Sequence, residues 1–513
     1  MYLKTKYILP IFSTIVLLNN CSGGGSSSSS EIIHQFNLEL ENTTTTAILK
    51  SKKTVHTKYG EKTLLIWVSK NSFETSCTKA KCINQDMINK LSTQFLTDGE
   101  NNDIYDWVTN IYGEEWSNQA SNKYSDLIEA TDEINILFTD IANDNSINGG
   151  IMGYFYAKDN FKKSAFQNSN EMIMFYVDSV MFANEEDGDF WQKEMYSTLA
   201  HEFQHMIHFY QKRVLNDTND DTWVNELLSE TTEDLVATKI NHIGPRGVSP
   251  DDGSAGDENN KKGRYPIFNK YNTTTLSRWD NTLSDYSKVS SFGTFLIRNY
   301  GGAKVLHDIA NNTKQHEDTI EYATGKDFGD LLQEWGKAVI LSDIENPEDL
   351  PTYNFGDFLS TTYNDIEYDL GSINFFNYNP TPQLYSGSDF DTNLNPHSNL
   401  YYIVGENIDD DIDLNISLNS TTKANAIIKD NNGECNIQEL SNGENTIDIN
   451  NNSDVYIVIT NTDSGTTSSI EIEHNAKYIA TQQKVYIDED INTTKQNKVP
   501  NFITEFNNNI NLK

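Results

Sequence analysis

His201-Glu202-Phe203-Gln204-His205 is the stretch whose reading decides this chain. On a helix, residues four apart project from one face about one turn apart, so both imidazoles reach one ion. Glu202 lies about 100° around from His201 and about 60° from His205, so it can face a water without ligating the metal. A bound metal lowers a water's pKa toward ~7, and a neighbouring carboxylate can take its proton and pass it to a leaving amine. By composition alone the pattern arises about once in a hundred such chains. The surrounding sequence supports the helix. Phe190, Met195, Leu199, Phe203, Met206 and Tyr210 recur at helical spacing, which predicts a helix over 189–212 with Asp189 as N-cap.

Catalytic zinc uses three protein ligands and an open position, so a third ligand must lie nearby. The same helix does not supply one: position 211 is Gln211, and His208 reads as a structural histidine one turn beyond His205. A second predicted helix, 222–240, carries Asn225-Glu226-Leu227-Leu228-Ser229-Glu230, with two carboxylates four apart on one face. Glu226 is the expected third ligand. Glu230 is expected to accept a hydrogen bond from the far nitrogen of His201 and is the alternative ligand.

This helix pair resembles that of the gluzincin metallopeptidases, the thermolysin-like superfamily, in which Asn-Glu-x-x-Ser-Asp carries the glutamate ligand and a supporting acid. Glu230 stands where that pattern has Asp. Within the superfamily the chain most resembles the hyicolysin family of secreted bacterial peptidases, over roughly residues 130–340. The matching stretches include Asn135-Ile136-Leu137-Phe138-Thr139-Asp140, the segment 201–209 and the segment 223–230. The resemblance implies an α+β gluzincin-type domain with a mixed sheet. It implies one catalytic zinc on His201, His205 and Glu226, with Glu202 as general base, acting on protein or peptide substrates. Tyr286 resembles the tyrosine that begins a helix in related gluzincins and is the first choice for an oxyanion donor, with His242 and His307 behind it. In the superfamily an edge strand accepts substrate backbone, and the glycines 149, 150 and 153 precede the strand leading into the zinc helix. An ordinary Gly-rich hairpin is the plainer reading of that segment. No Gly-x-Met-Glu-Asn motif occurs there, which favours endopeptidase over aminopeptidase action.

The remainder of the 513 residues sets the context. Net charge is −37, which disfavours nucleic acid as a partner. The acidic runs 217–221, 251–258 and 409–413 offer carboxylates for Ca2+. None has the Asp-x-Asp-x-Asp-Gly spacing, so solvated loops are the favoured reading. Lys4 and Lys6 precede an apolar stretch too short for a comfortable membrane span, then Cys21, three glycines and a serine run. This resembles a bacterial lipoprotein signal and implies export, with a lipid anchor at Cys21 holding the protein to the cell envelope or surface. Cys77 and Cys82 are close enough to bridge, while Cys435 has no evident mate.

The expected organisation is a signal peptide at 1–20, a tether at 21–31, a β-rich region at 32–130, the metallopeptidase domain at 131–345 and an all-β sandwich at 396–480. Short strands at 400–404, 412–418, 425–428, 455–460 and 470–473 carry that last expectation. The rival function is a surface adhesin or binding lipoprotein that keeps the metal site without turnover. Glu202 argues against it, because a binding module has no use for a general base.

Overall fold

The computed structural model describes residues 31–242, 263–344, 350–353, 359–449, 451–476, 499–510 and 512. The expected signal peptide, Cys21, most of the tether and the acidic run 251–258 lie outside these residues.

Six strands form one mixed sheet: β1 (Ile33–Leu38), β2 (Thr43–Thr57), β3 (Gly60–Ser69), β4 (Glu133–Thr139), β5 (Gly153–Phe155) and β6 (Met174–Asp178). Their order is β1-β2-β3-β4-β6-β5, with β3, β4 and β6 parallel and the other pairings antiparallel. The parallel strands are near-continuous apolar runs because the sheet is covered on both faces. On one face Leu64, Ile66, Ile136, Phe138 and Phe175 pack into the main core with Leu199 and Phe203; on the other, Leu65, Trp67, Leu137 and Tyr176 pack with Ile503. Because β3 pairs with β4, the sheet runs across the boundary expected near residue 130. Helices Gln85–Phe95 and Ile104–Tyr112 lie between those two strands in sequence, started by the side chains of Asn84 and Asp103. A disulfide joins Cys77 and Cys82, and Cys435 is a half-buried free thiol.

Toward the other end, β7 (Leu359–Tyr363) and β8 (Ile366–Leu370) form a hairpin. Eight further strands form two sheets. One is ordered β10-β15-β12-β13 and the other β14-β11-β16-β9. Their ranges are β9 Asp389–Leu394, β10 Ser398–Ile408, β11 Ile412–Ser417, β12 Thr422–Asp430, β13 Cys435–Leu440, β14 Gly443–Ile447, β15 Ser453–Asn461 and β16 Ser468–His474. Between the sheets lies an aliphatic core that includes Leu414, Ile416, Ala426, Ile457 and Ile472. β11 and β16 alternate buried and exposed residues, as a sheet with one solvated face must. By contrast, β10 and β15 are buried almost throughout, because helix Phe328–Ile340 covers their outer face. Among the described residues no helix is long and apolar enough to cross a membrane.

Candidate metal centre

The first metal-centre helix, Phe190–His208, turns Met195, Leu199, Phe203 and Met206 into the core. Phe203 sits among the rings of Phe95, Tyr105 and Phe175. That packing fixes the rotation of the helix and hence where its two histidines point. Asp189 supplies no side-chain cap, contrary to expectation, and the backbone continues as a wider turn over Phe209–Leu215. The second helix, Thr222–Val236, is buried over nearly its whole surface. Helix Leu283–Asn299 crosses it at Gly293, where a Cβ would stand 1.9 Å from Thr231 Oγ1. Only glycine permits that approach.

His201 Nε2 and His205 Nε2 lie 3.1 Å apart, and Glu226 Oε2 is 3.4 Å from the first and 3.6 Å from the second. Tetrahedral ligand atoms on bonds of about 2.05 Å stand about 3.3 Å from one another, so this triangle suits a single ion. Glu226 Oε2 is buried yet makes no hydrogen bond of acceptable geometry, an orphaned acceptor that a cation would satisfy. Two imidazole nitrogens and one carboxylate oxygen are also a zinc donor set. Burial opposes ionisation of Glu226, but the His205 and His201 imidazoles outweigh it and hold the carboxyl at about 2. Burial likewise disfavours the charged form of His201, yet the adjacent Glu226 and Glu233 carboxylates raise its pKa well above the ordinary histidine value.

Glu202 is buried beside this triangle and accepts the N–H of Phe155 on β5 at 2.8 Å. Burial raises its pKa against the opposing pull of both imidazoles, a direction that suits a proton acceptor working near neutrality. Gly153 makes the approach feasible: a Cβ there would meet Tyr176 O at 2.9 Å and Thr198 Cγ2 at 3.2 Å. The Gly-rich segment thus brings an edge strand against the histidine helix.

The groups orienting the histidines differ from expectation at one position. His201 Nδ1 pairs with Glu233 Oε1 at 2.7 Å, and Glu233 also accepts from Ser197 Oγ at 2.6 Å. Glu230, expected in that role, is instead gripped by Arg264, whose Nε and Nη2 each donate at 2.7 Å. The physical reason is competition for the carboxylate. Glu226, Glu230 and Glu233 share one helix face, but the Arg264 guanidinium engages both oxygens of Glu230, leaving Glu233 to pair with the ring. The i, i+4, i+7 spacing was the signal available for Glu233; nothing in the sequence pointed to Arg264. His205 Nδ1 pairs with Asn225 Oδ1 at 3.1 Å, the residue beside the Glu226 position. In both histidines an acceptor on Nδ1 leaves the Nε2 lone pair for a metal.

Tyr286 is buried in the first turn of helix Leu283–Asn299, which a Thr282–Asp285 capping box starts. Its hydroxyl donates to Asn281 Oδ1 at 3.4 Å, and Arg264 lies over its ring. Burial and the charge of Glu226 raise the phenol well above its usual range, so it remains a donor. The weaker candidates are engaged elsewhere: His242 Nε2 pairs with Glu194 at 2.6 Å, and His307 Nδ1 donates to Ile111 O at 2.7 Å. His208 turns to Asp220 at 2.9 Å, in keeping with a structural role. In the run 217–221, Asp217 pairs with Arg213, Asp220 with His208 and Lys212, and Asp221 with His316. Among the described residues, the groups able to hold a metal all include His201 and none draws on the acidic runs.

A family model described as Peptidase M30 matches residues 41–339, more than half of the chain. The neutral metalloprotease ShpI of Staphylococcus hyicus is 24% identical over 255 residues, which are 44% of this chain and 52% of that protein. The chain therefore spans about half the length of the curated relative it matches. A solved structure concerning the promiscuous specificity of carbohydrate-binding modules of the β-sandwich superfamily aligns with 26% of this chain and 80% of its own. Its TM-score is 0.12 at 9% identity, which carries no argument about fold or ligand.

Proposed function

The chain belongs to the peptidase M30 family, and on that premise we propose that it is an exported zinc metalloendopeptidase with a gluzincin-type catalytic domain. The observation that carries the reading is the convergence of His201, His205 and Glu226 within 3.1–3.6 Å, with Glu202 buried beside them against an edge strand. Zinc held there would supply Lewis-acid activation of a water and of the scissile carbonyl.

The protein's own groups do the rest. Glu202 takes a proton from the attacking water and returns it to the leaving amine, helped by a carboxyl raised by burial. Glu233 and Asn225 fix the tautomers of His201 and His205. Tyr286, kept protonated, donates to the oxygen on which negative charge develops. β5 accepts an extended protein or peptide substrate by backbone pairing. Export and a lipid anchor at Cys21 follow from the sequence pattern at the start of the chain.

The test is metal analysis combined with digestion of an unfolded protein. Wild type should hold about one zinc per chain and cut internal bonds, and Glu226→Ala should lose both properties. Zinc retained in Glu226→Ala would remove that residue from the ligand set. Zinc-loaded wild type that cuts nothing would favour the binding-lipoprotein alternative.

A further inference from the structure

β5 is the outer strand of its sheet, so half of its backbone groups point away from any strand partner. Asp178 N–H donates to Met152 C=O, and Tyr154 lies opposite Tyr176, so Gly153 and Phe155 turn their backbones outward. The outward N–H of Phe155 goes to Glu202. The next outward groups are Phe155 C=O and Ala157 N–H. One side chain takes both: Asn507 Nδ2 donates to Phe155 C=O at 2.9 Å, and Asn507 Oδ1 accepts from Ala157 N–H at 2.7 Å. A carboxamide offers an N–H and a C=O side by side, the donor and acceptor that an extended peptide brings to an edge strand. Asn507 thus occupies backbone positions immediately beside the proposed general base.

The element carrying Asn507 is helix Asn501–Asn509. Ile503 is fully buried with Tyr154, Tyr156 and Tyr176, and Phe506 packs its ring on Tyr156, Phe161 and Phe166. Asn508 Oδ1 accepts from Asn225 Nδ2 at 3.0 Å, and Asn225 is the residue that orients His205. At the helix start, Asn501 Oδ1 and Val499 C=O accept from Asn281, the partner of the Tyr286 hydroxyl. The segment therefore touches the edge strand, the support of one histidine and the neighbour of Tyr286. Phe502 adds an edge contact with Tyr156, Val499 packs beside it, and Arg213 donates to Ile510 C=O just beyond the helix; the other polar anchors are carboxamides, which water or another peptide can replace.

We infer that segment 499–509 is an intramolecular competitor for the substrate edge, with Asn507 standing in for substrate backbone. The inference rests on the peptidase reading above. A peptide must displace Asn507 before it can pair with Phe155 and Ala157. The segment therefore raises KM while leaving the bond-breaking step untouched once substrate is in place.

Asn507→Ala and Ile503→Asp in the full chain test this, the first removing the backbone mimic and the second expelling the helix. In Asn507→Ala, kcat/KM on an unstructured peptide should rise roughly five- to tenfold, mainly through KM, as expected for the loss of two modest hydrogen bonds. Affinity for a non-hydrolysable phosphinic peptide, measured by calorimetry, should tighten by a similar factor, and hydrogen exchange at the Ala157 amide should accelerate. Ile503→Asp should show the same gains even with a lowered melting temperature. Wild type that cleaves, with neither variant gaining turnover or affinity, would overturn the inference and leave the peptidase reading intact. If zinc-loaded wild type and variants all fail to cleave, the peptidase reading falls, and the phosphinic-peptide affinities still decide whether Asn507 competes.

Discussion

His201 Nδ1 stands 2.7 Å from Glu233 Oε1, and both groups are buried. This pair joins the two metal-centre helices across 32 residues of sequence. It leaves Nε2 as the nitrogen facing Glu226 and gives the imidazole an anionic partner that strengthens it as a ligand.

Replacing Glu233 by Gln should weaken zinc binding by roughly 10–100-fold, because the ring loses its charged partner. Glu230→Gln should keep most of the metal affinity and mainly lower the melting temperature, since Arg264 then loses its carboxylate. Competition with a chelator, run on both variants, checks the contrast; the opposite order would return Glu230 to the supporting role.

Metal loading should release a proton. In the metal-free protein the His201 pKa is raised well above the usual value, so the ring carries a proton at neutral pH that a metal must displace. Zinc affinity should therefore grow with pH and fall by up to about tenfold per unit on acidification below that pKa. Calorimetry in two buffers of different ionisation enthalpy gives the proton count directly. A count near zero at pH 7 contradicts the assignment.

Glu202→Gln should retain zinc and fold while turnover falls by ~10²–10⁴, since the proton carrier is gone. Near-normal turnover in a zinc-loaded variant would exclude Glu202 as the base.

Tyr286→Phe should lower kcat by roughly 10²–10³ with little change in KM, because the lost hydrogen bond forms mainly in the transition state. Zinc content and melting temperature should hold, as the ring still packs against Trp279. A kcat within a few-fold of wild type would mean that the hydroxyl serves only Asn281.

Much of the fold was legible where local pattern and burial agree. The alternation on β11 and β16 and the apolar runs of β4 and β15 each announced a strand. The start of the helix holding Tyr286 is set by a polar cap, Thr282 with Asp285, and not by apolar spacing, which Ser284, Asp285 and Ser287 interrupt in its first turns. Helix Asn501–Asn509 was invisible for a different reason. Four of its nine residues are Asn, a weak helix former, and its contacts with β5 and Asn225 come from more than 280 residues away.

By itself the sequence determined the chemistry of the site: two histidines four apart, a carboxylate between them and a glutamate on a following helix, all readable from helical geometry. It equally determined the alternation that makes a two-sheet β region. Only the tertiary structure decided which acid supports His201, what holds Glu230, and what lies on the edge strand beside Glu202. Helical periodicity limits which residues share a face. Choosing among Glu226, Glu230 and Glu233 depends on Arg264, and the state of the edge strand depends on Asn507. Neither residue has a local signal tying it to the site, because chain folding alone brings them there.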